Sequence, residues 1–223
     1  MPIMTMRRSD HLNETLYNYL VAHSTPPDAV LVQLADETAR SFPDAAEMQI
    51  GPDQGAFMTM LTQLIGVNRA LEIGTFTGYS AICVARGLAP GGRLTCCDVS
   101  DEWTSVARKY WELAGLSDRI DLQLRPAIET LQAMPAAEQF DLAFIDADKT
   151  GYVAYWDEVV PRIRQGGVLL IDNTISSGRV VDPGATSANV TAIKAFNDHA
   201  AADQRVDLVL LPIGDGLTIA RKK

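Results

Sequence analysis

The ten-residue stretch LEIGTFTGYS, residues 71–80, decides the fold because it joins an apolar strand to a helix through a glycine-containing turn. Gly74 and Gly78 are four residues apart, so the turn lacks the G-x-G-x-x-G spacing of dinucleotide-binding folds. Gly74 can let a ligand approach the backbone closely, and Gly78 lies where the helix would pack against its neighbours. Ligands of open α/β sheets bind beyond the carboxyl ends of the strands, so the turn predicts a binding site at that edge.

Short apolar runs alternate with amphipathic segments after residue 69, which is the pattern of a parallel sheet covered by helices. The predicted strands are residues 70–74, 93–99, 120–124, 140–146, 167–172, 206–213 and 216–222. Gly214 and Asp215 alone separate the last two strands, and so short a connection requires them to run antiparallel. The prediction is therefore an open α/β sheet of seven strands whose last strand is antiparallel.

Helical spacing of apolar residues predicts two of the covering helices. The first is marked by Trp103, Val106, Ala107, Tyr110 and Ala114, with Gly115 suited to its C-terminal cap. The second is marked by Tyr152, Tyr155, Trp156, Val159, Val160 and Ile163. Pro161 lies late in this second helix and is expected to kink or end it.

The first 69 residues have a different pattern, with three helical segments and no linker before the sheet. Their apolar positions are Leu12, Leu16, Tyr19 and Leu20, then Val30, Leu31 and Leu34, then Phe57, Met60, Leu61, Leu64 and Ile65. We expect one domain over residues 1–223, with a helical layer at 1–69 and an α/β core at 70–223. The helices carry more apolar positions than one covering layer needs.

Composition excludes several classes of protein. The formal net charge of −9 argues against a protein that binds along nucleic-acid phosphates. No stretch approaches the roughly 20 apolar residues that span a bilayer, and the N-terminus lacks a secretory apolar region, which predicts a cytoplasmic protein without membrane contact. Cys83, Cys96 and Cys97 have no disulfide or zinc spacing and are expected to be buried thiols.

Acidic residues lie at the predicted ends of the first two strands. Glu72 stands in an apolar strand end, where a carboxylate must find a cationic or hydrogen-bonding partner. Asp98 closes the second strand, a position from which an acid can bind ribose hydroxyls. An ordinary strand–helix turn with incidental acids is the alternative, but the two acids combined with the two glycines favour a nucleoside-binding site.

Oxygen ligands also follow the fourth and fifth predicted strands. Asp146 ends the fourth strand, and Asp172 and Asn173 end the fifth. If these strands are neighbours, three hard oxygen donors converge, a set that favours Mg²⁺ or Ca²⁺ and also suits Mn²⁺. The alternative is that the aspartates cap the helices that follow, and the same alternative holds for Asp148.

Lys149 lies three residues after Asp146 and gives this edge a candidate base. A divalent cation lowers the pKa of a hydroxyl bound to it, and a nearby amine can take the proton. A cation also favours the neutral form of a neighbouring lysine, which a general base requires. An exposed lysine on the first turn of a helix is the alternative.

Five stretches give the chain a specific resemblance: MQIGPDQGAF, LEIGTFTGYSA, FIDADKTGYVAYW, GGVLLIDNT and GDGLTIAR, which extend from about residue 48 to 221. The chain resembles the class I S-adenosylmethionine-dependent O-methyltransferases, and within them the metal-dependent catechol and caffeoyl-CoA branch. The resemblance implies a Rossmann-like sheet, S-adenosylmethionine and Mg²⁺ as cofactors, methyl transfer to one hydroxyl of a small catechol, and a homodimer to which the N-terminal region contributes.

The resemblance also implies roles for individual residues. Asp146, Asp172 and Asn173 would be the metal ligands, and Lys149 the catalytic base. The S-adenosylmethionine pocket would comprise Met48, Glu72, Gly74, Thr75, Gly78, Ser80, Asp98, Ala127, Asp146, Asp148 and Tyr155. Asp98 would hold the ribose, Glu72 and Ser80 the methionine part, and Ala127 the adenine edge.

Two positions depart from the plant members of this family. Ile50 stands where they carry a threonine, and Ser176 stands where they carry an aromatic residue after the DNT motif. Both departures predict an acceptor pocket different from the plant one. The polar segment 174–190 follows the metal ligands and is a candidate lid over the acceptor.

Three other functions are alternatives to methylation of a catechol. A tRNA hydroxyuridine O-methyltransferase has similar motifs; the acidic composition disfavours it, although Arg7, Arg8 or Arg179 could form a local basic patch. A nicotinamide-dependent oxidoreductase would need the missing glycine motif. A non-catalytic nucleoside-binding module would not need Lys149 or the metal ligands. His11, His23 and His199 are expected to be structural.

Overall fold

The computed structural model describes residues 12–137 and 139–223, so Arg7, Arg8 and His11 lie outside the described part. One seven-stranded sheet has the order β3-β2-β1-β4-β5-β7-β6. Its strands are β1 (Arg69–Ile73), β2 (Arg93–Asp98), β3 (Ile120–Leu124), β4 (Phe140–Ile145), β5 (Ile163–Ile171), β6 (Val206–Leu211) and β7 (Leu217–Lys222). Strands β1 to β5 pair in parallel, and β7 runs antiparallel to both β5 and β6. The predicted fold class is confirmed.

Eight α-helices in the described residues cover the sheet. They are α1 (Glu14–Ala22), α2 (Ala29–Ser41), α3 (Pro52–Ile65), α4 (Tyr79–Gly87), α5 (Asp101–Leu113), α6 (Ala127–Gln132), α7 (Tyr152–Val159) and α8 (Ala188–Ala202). Side-chain oxygens of Asn13, Asp28, Ser100 and Ser187 cap α1, α2, α5 and α8 by accepting a backbone N–H of the first turn. None of the described helices is both long and apolar enough to cross a membrane.

Two cores lie on opposite faces of the sheet. One contains apolar residues of α2 to α5 packed on side chains such as Ala70 and Phe144, and the other contains residues of α6 to α8 packed on side chains such as Leu71 and Ile145. The N-terminal helices join the first core through Leu31, Leu34 and Met58. This helical layer also reaches the glycine-containing turn, where the Thr38 hydroxyl donates to Thr77 Oγ1 at 2.9 Å.

The prediction that Ile163 belongs to a helix is wrong. Helix α7 ends at Val159, a 3₁₀ turn covers Val160–Arg162, and β5 begins at Ile163 rather than at residue 167. Pro161 has no N–H to continue the helix, so the chain leaves it and enters the sheet beside Phe140. Short apolar segments at such a junction fit a helix and a strand equally well, which explains the error.

Candidate functional site

A cavity of about 840 Å³ opens at the carboxyl edge of the sheet. The turns after β1, β2, β4 and β5 form its base, and the segment 44–50 between α2 and α3 forms a wall. Eleven of the predicted site residues line it: Met48, Gly74, Thr75, Ser80, Asp98, Ala127, Asp146, Asp148, Lys149, Tyr155 and Asn173. Glu72, Gly78 and Asp172 lie behind this lining and support it.

The two glycines of the turn after β1 have different structural roles. Gly74 has a φ of +87°, and a Cβ there would come within 2.1 Å of the Asp146 carbonyl oxygen, so the two strand ends meet at this glycine. Gly78 has a φ of +85°, and a Cβ there would lie 2.7 Å from both Ala107 and the Trp111 ring nitrogen. Gly78 therefore packs α4 against α5, while Gly74 faces the cavity.

Asp98, at the end of β2, fixes the shape of the turn. Its Oδ2 accepts the backbone N–H groups of Thr75 and Phe76 at 2.9 and 2.8 Å, and its Oδ1 accepts that of Ser100 at 2.8 Å. Three fixed donors hold the carboxylate in one orientation at the wall of the cavity, which Asp98 lines.

Glu72 is fully buried beneath the same turn. Burial raises the pKa of its carboxyl to about 8, and hydroxyls of Ser80 and Thr75 and the Cys96 thiol oppose part of the rise. The Cys96 thiol donates to Oε1 at 3.6 Å, while Oε2 has no hydrogen-bond partner among the described residues. A buried carboxylate oxygen in this state has capacity for a donor or a positive charge that the protein itself does not supply.

The carboxyl ends of β4 and β5 bring the predicted metal ligands together. Ile145 and Ile171 are register partners, so Asp146 and Asp172 are adjacent residues at the ends of neighbouring strands. The condition on which the metal prediction depended, that the two strands are neighbours, is confirmed. Asn173 follows with a φ of +61° and lines the cavity.

Exposure differs among these three donors. The Asp146 carboxylate and the Asn173 amide face the cavity, whereas Asp172 is fully buried and its Oδ1 accepts the Asn173 N–H at 2.8 Å. In the described part of the chain, no three His, Cys, Asp or Glu side chains cluster as a metal site. The donor set consists of two carboxylates and an amide oxygen, which suits a hard cation.

Lys149 points at the same corner of the cavity. Its Nζ donates to Asp146 Oδ1 at 2.8 Å and lies 2.7 Å from the Tyr152 hydroxyl, which in turn donates to the Asp172 carbonyl at 3.1 Å. The ammonium also lies 4.9 Å from the centre of the Tyr152 ring. Tyr152, fully buried in α7, thus holds the amine between the ends of β4 and β5.

Asp148 occupies the N-cap position of the 3₁₀ turn Lys149–Gly151, but its side chain makes no capping bond to a backbone N–H there. Its Oδ1 accepts the Tyr155 hydroxyl at 2.6 Å, and its Oδ2 accepts the Thr150 hydroxyl at 3.1 Å. Burial, followed by this bond to Asp148, raises the pKa of Tyr155. Asp148 and Tyr155 form one hydrogen-bonded wall of the cavity.

Backbone strain is concentrated at this edge. Of the described residues, four that are not glycine have positive φ: Phe76, Asn173, Ser176 and Ser177. Three of them line the cavity and the fourth is their neighbour. Such conformations cost about 1–3 kcal/mol each and persist where the surrounding structure enforces them, often at ligand-binding sites.

Sequence reasoning missed several residues of the cavity wall. Gln49, 6% exposed, lines it, and its Oε1 has no hydrogen-bond partner in the described chain. Asp215, in the turn between β6 and β7, accepts the Ser177 N–H and also lines the cavity. Arg179, which the sequence places in a possible basic patch and in the candidate lid 174–190, also lies in the wall. A signal for Asp215 was present, because a turn next to β5 must lie at the edge where β5 ends.

Comparisons with known proteins agree with this geometry. The family described as O-methyltransferase matches residues 21–223. The chain is 38% identical over 214 residues to a probable caffeoyl-CoA O-methyltransferase 2 of Dictyostelium discoideum, covering 94% of this chain and 92% of that protein.

Solved structures give the same result. The chain is similar to an O-methyltransferase of Bacillus cereus solved in complex with S-adenosylhomocysteine (TM-score 0.86, 33% identity, 94% of this chain and 97% of that one). It is also similar to TomG of Streptomyces achromogenes, an O-methyltransferase involved in tomaymycin synthesis, solved with S-adenosylmethionine (TM-score 0.85, 28% identity, 94% and 96% covered).

Proposed function

The chain belongs to the O-methyltransferase family and is an S-adenosylmethionine-dependent enzyme, and from that premise we propose that it methylates one hydroxyl of a small catechol with the help of a divalent cation. The observation that carries the proposal is the corner formed by Asp146, Asn173 and Lys149 on the wall of the cavity. Oxygen donors for a cation and an amine for a proton lie together there.

The cavity suits S-adenosylmethionine because it leaves a buried polar group without a hydrogen-bond partner in the described chain. Glu72 Oε2 is buried and has no hydrogen-bond partner in the described chain, and Gly74 lines the cavity with backbone alone. We assign Glu72, Thr75 and Ser80 to the methionine part, Asp98 to the ribose and Ala127 to the adenine. Met48, Gly74, Asp146, Asp148 and Tyr155 would complete the pocket around the cofactor, with Gly78 setting the helix behind it.

Asp146, Asp172 and Asn173 fit a hard cation such as Mg²⁺, with Mn²⁺ or Ca²⁺ as substitutes. A bound cation would stabilise negative charge on the acceptor oxygen and orient a vicinal diol. Ile50, buried in the wall where a threonine would offer a hydroxyl, leaves these three residues as the oxygen ligands that we assign.

Lys149 is the proposed base. In its neutral form, its Nζ accepts the proton of the acceptor hydroxyl, the oxygen forms a bond to the methyl carbon, and the carbon–sulfur bond breaks to release S-adenosylhomocysteine. Asp146 and Tyr152 keep the amine at the corner where the hydroxyl would be presented. Alignment of oxygen and methyl group accounts for much of the expected rate.

The tRNA hydroxyuridine alternative is disfavoured by the charge of the cavity wall. Asp44, Glu47 and Asp215 line the cavity together with the carboxylates already described. A polyanionic RNA backbone would approach a rim of its own charge. Six carboxylates against three basic side chains in the described cavity wall suit a small acceptor better.

The proposal is tested by measuring methyl transfer from S-adenosylmethionine to a panel of catechols, with and without EDTA. We expect transfer to a catechol, its loss in EDTA and its return with Mg²⁺, while a monophenol is methylated poorly because it offers one oxygen instead of two. Full activity in EDTA would overturn the metal assignment. Methylation of hydroxyuridine tRNA with no catechol accepted would favour the alternative.

We also propose a homodimer. Exposed apolar side chains occur on α1 and α3 (Leu16, Tyr19, Met60 and Leu64) and along the edge strand β6 (Leu208, Val209 and Leu210). An apolar edge strand in solvent invites pairing, and a second copy would cover it. Light scattering should give twice the monomer mass of 24.2 kDa, and the monomer mass at micromolar concentration would contradict the proposal.

A further inference from the structure

Two consecutive tight turns connect Asn173 to Arg179. Asn173 lies at the corner of the cavity that we assign to the acceptor, together with Asp146 and Lys149. The Ser176 N–H donates to the Asn173 carbonyl at 3.1 Å, and the Ser176 carbonyl accepts the Arg179 N–H at 2.9 Å. Arg179 Nε donates to the same carbonyl at 3.0 Å, so the guanidinium is folded back onto the turn and lies in the cavity wall. Its position is therefore tied to Asn173, which we assign as a metal ligand.

The loop that carries Arg179 is anchored to the turn between β6 and β7. Thr174 and Ile175 donate their N–H groups to the carbonyls of Gly216 and Asp215 at 3.0 Å each, and the Asp215 carboxylate accepts the Ser177 N–H. A Cβ on Gly216 would lie 2.4 Å from the Ile175 side chain, so the two segments are in close contact. The anchored backbone gives the guanidinium a defined place beside the acceptor.

Among the described residues, three basic side chains line the cavity, and they differ in what they already bind. Lys149 is paired with Asp146. Arg125 lies beside Ala127, at the end that we assign to adenine, and donates to Thr130 and Gln123. The two terminal nitrogens of Arg179 donate to none of the described residues, since its one side-chain bond uses Nε.

The cavity is otherwise acidic, because its wall includes Asp44, Glu47, Asp98, Asp146, Asp148 and Asp215. An acceptor with a negative charge would be repelled unless a cation met that charge. The terminal nitrogens of a guanidinium bind a carboxylate with two parallel hydrogen bonds, a geometry that a lysine cannot reproduce.

We propose that Arg179 binds a carboxylate on the acceptor, so that the preferred substrates are catechols with a carboxylate on the ring or on a short side chain. This inference rests on the proposed catechol methylation and specifies its substrate class. The diol would lie toward Asn173 and Lys149, and the carboxylate would extend toward the guanidinium at the start of the segment 174–190.

The test compares 3,4-dihydroxybenzoate with its neutral amide, which has nearly the same shape, in the parent and in Arg179→Gln. We expect the parent to prefer the acid by about tenfold in kcat/KM, the size of one charge-assisted interaction. Arg179→Gln should abolish this preference through a higher KM for the acid, with turnover of the amide within about twofold of the parent. High salt should weaken the preference in the parent.

Arg125→Gln is the matched control, because it removes a cavity arginine at the other end and should leave the ratio of acid to amide unchanged. Arg179→Lys should restore only part of the preference. Equal use of acid and amide by the parent, or an equal loss for both in Arg179→Gln, would overturn this inference and leave catechol methylation standing. If the parent methylates neither compound nor any other catechol, the proposed function fails and this inference fails with it.

Discussion

Asp141, at the amino edge of the sheet, and Glu72, at the carboxyl edge, are engaged in opposite ways. At the amino edge, Asp141 is fully engaged: its Oδ2 accepts the N–H groups of Asn68 and Arg69, and its Oδ1 accepts Arg164 Nε at 2.6 Å. Partial burial opposes ionisation of Asp141, but the backbone bond from Arg69 and the Arg164 guanidinium outweigh it and lower its pKa. At the carboxyl edge, burial raises the pKa of Glu72 to about 8 and one of its oxygens has no partner in the described chain.

The difference separates groups that stabilise the fold from groups that await a ligand. A carboxylate whose partners are all in the chain contributes to the free energy of unfolding, whereas a buried one without them costs stability until a ligand binds. The strained residues Phe76, Asn173, Ser176 and Ser177 lie at the same edge as Glu72. The carboxyl edge thus has both a buried carboxyl without a full set of partners and strained backbone. Each lowers stability, as expected of a binding site.

The substitution with the largest expected effect on activity is Asp146→Asn, which is compared with Asp141→Asn at the other edge of the sheet. Asp146→Asn removes the charge of a proposed metal ligand and the partner of Lys149, so methyl transfer should fall by about 10³-fold or more, while the melting temperature changes little. Steady-state assays and thermal denaturation on the same preparation measure both quantities.

Asp141→Asn is the matched control at the amino edge and should lower stability without lowering activity. It weakens bonds that join β1, β4 and β5, so the free energy of unfolding should fall by about 1–3 kcal/mol, with kcat per folded molecule unchanged. Equal loss of activity in the two variants would show that the two edges do not differ as described.

Lys149→Ala is expected to have the next largest effect. Loss of the proposed base should lower kcat by about 10²–10⁴-fold, and the loss should shrink at high pH, where the acceptor ionises unaided. The pH profile of kcat from neutrality upward measures this.

Lys109 provides a control away from the cavity that has the same kinds of neighbour, a carboxylate and a tyrosine ring, but is more exposed (53% against 20% for the side chain of Lys149). Its Nζ pairs with Glu37 at 2.5 Å and lies 5.1 Å from the centre of the Tyr110 ring. Lys109→Ala should leave the pH profile unchanged. A Lys149→Ala enzyme as fast as the parent at neutral pH would remove the lysine from the mechanism.

A smaller effect is expected on the pH dependence of stability. The pKa of Glu72 is raised in the folded protein from its ordinary value of 4.5 to about 8, so between these values the folded state binds a proton that the unfolded state has released. Stability contributed by the protonated carboxyl is therefore lost as pH rises, by about 1 kcal/mol between pH 6 and pH 7. Glu72→Gln should remove that decline in urea denaturation curves; an unchanged decline would mean that Glu72 does not cause it.

The sequence was sufficient to predict which residues lie at the carboxyl edge but not how each side chain is engaged. Glu72, Asp98, Asp146 and Asp172 are placed there by the strand pattern alone. The short connection predicted at Gly214 required the antiparallel last strand; in the structure β6 ends at Leu211 and β7 begins at Leu217, so the connection is five residues long and the predicted direction is confirmed. The sequence could not predict that Asp98 accepts three backbone N–H groups or that Asp172 is fully buried, because both depend on how the turns fold.

Two further failures have the same physical origin. Ile163 was assigned to a helix because a short apolar segment fits both periods, and the chain's tertiary packing decided for the strand. Gln49 lies in the stretch MQIGPDQGAF and Arg179 in the candidate lid 174–190, but neither pattern predicts a role for these side chains, which reach the cavity because the segment between α2 and α3 and the loop after β5 fold over the carboxyl edge. Such contacts between distant segments cannot be read from local pattern.

The most direct test of the central claim, that the carboxyl edge binds a cation beside the methyl donor, is anomalous diffraction from crystals grown with Mn²⁺ and S-adenosylhomocysteine. We expect one strong anomalous peak at coordination distance from oxygens of Asp146, Asp172 and Asn173. The nucleoside should lie between Asp98 and Ala127, and the Lys149 amine should lie beside the metal. A peak elsewhere on the protein, or bound S-adenosylhomocysteine with no peak at these three residues, would contradict it.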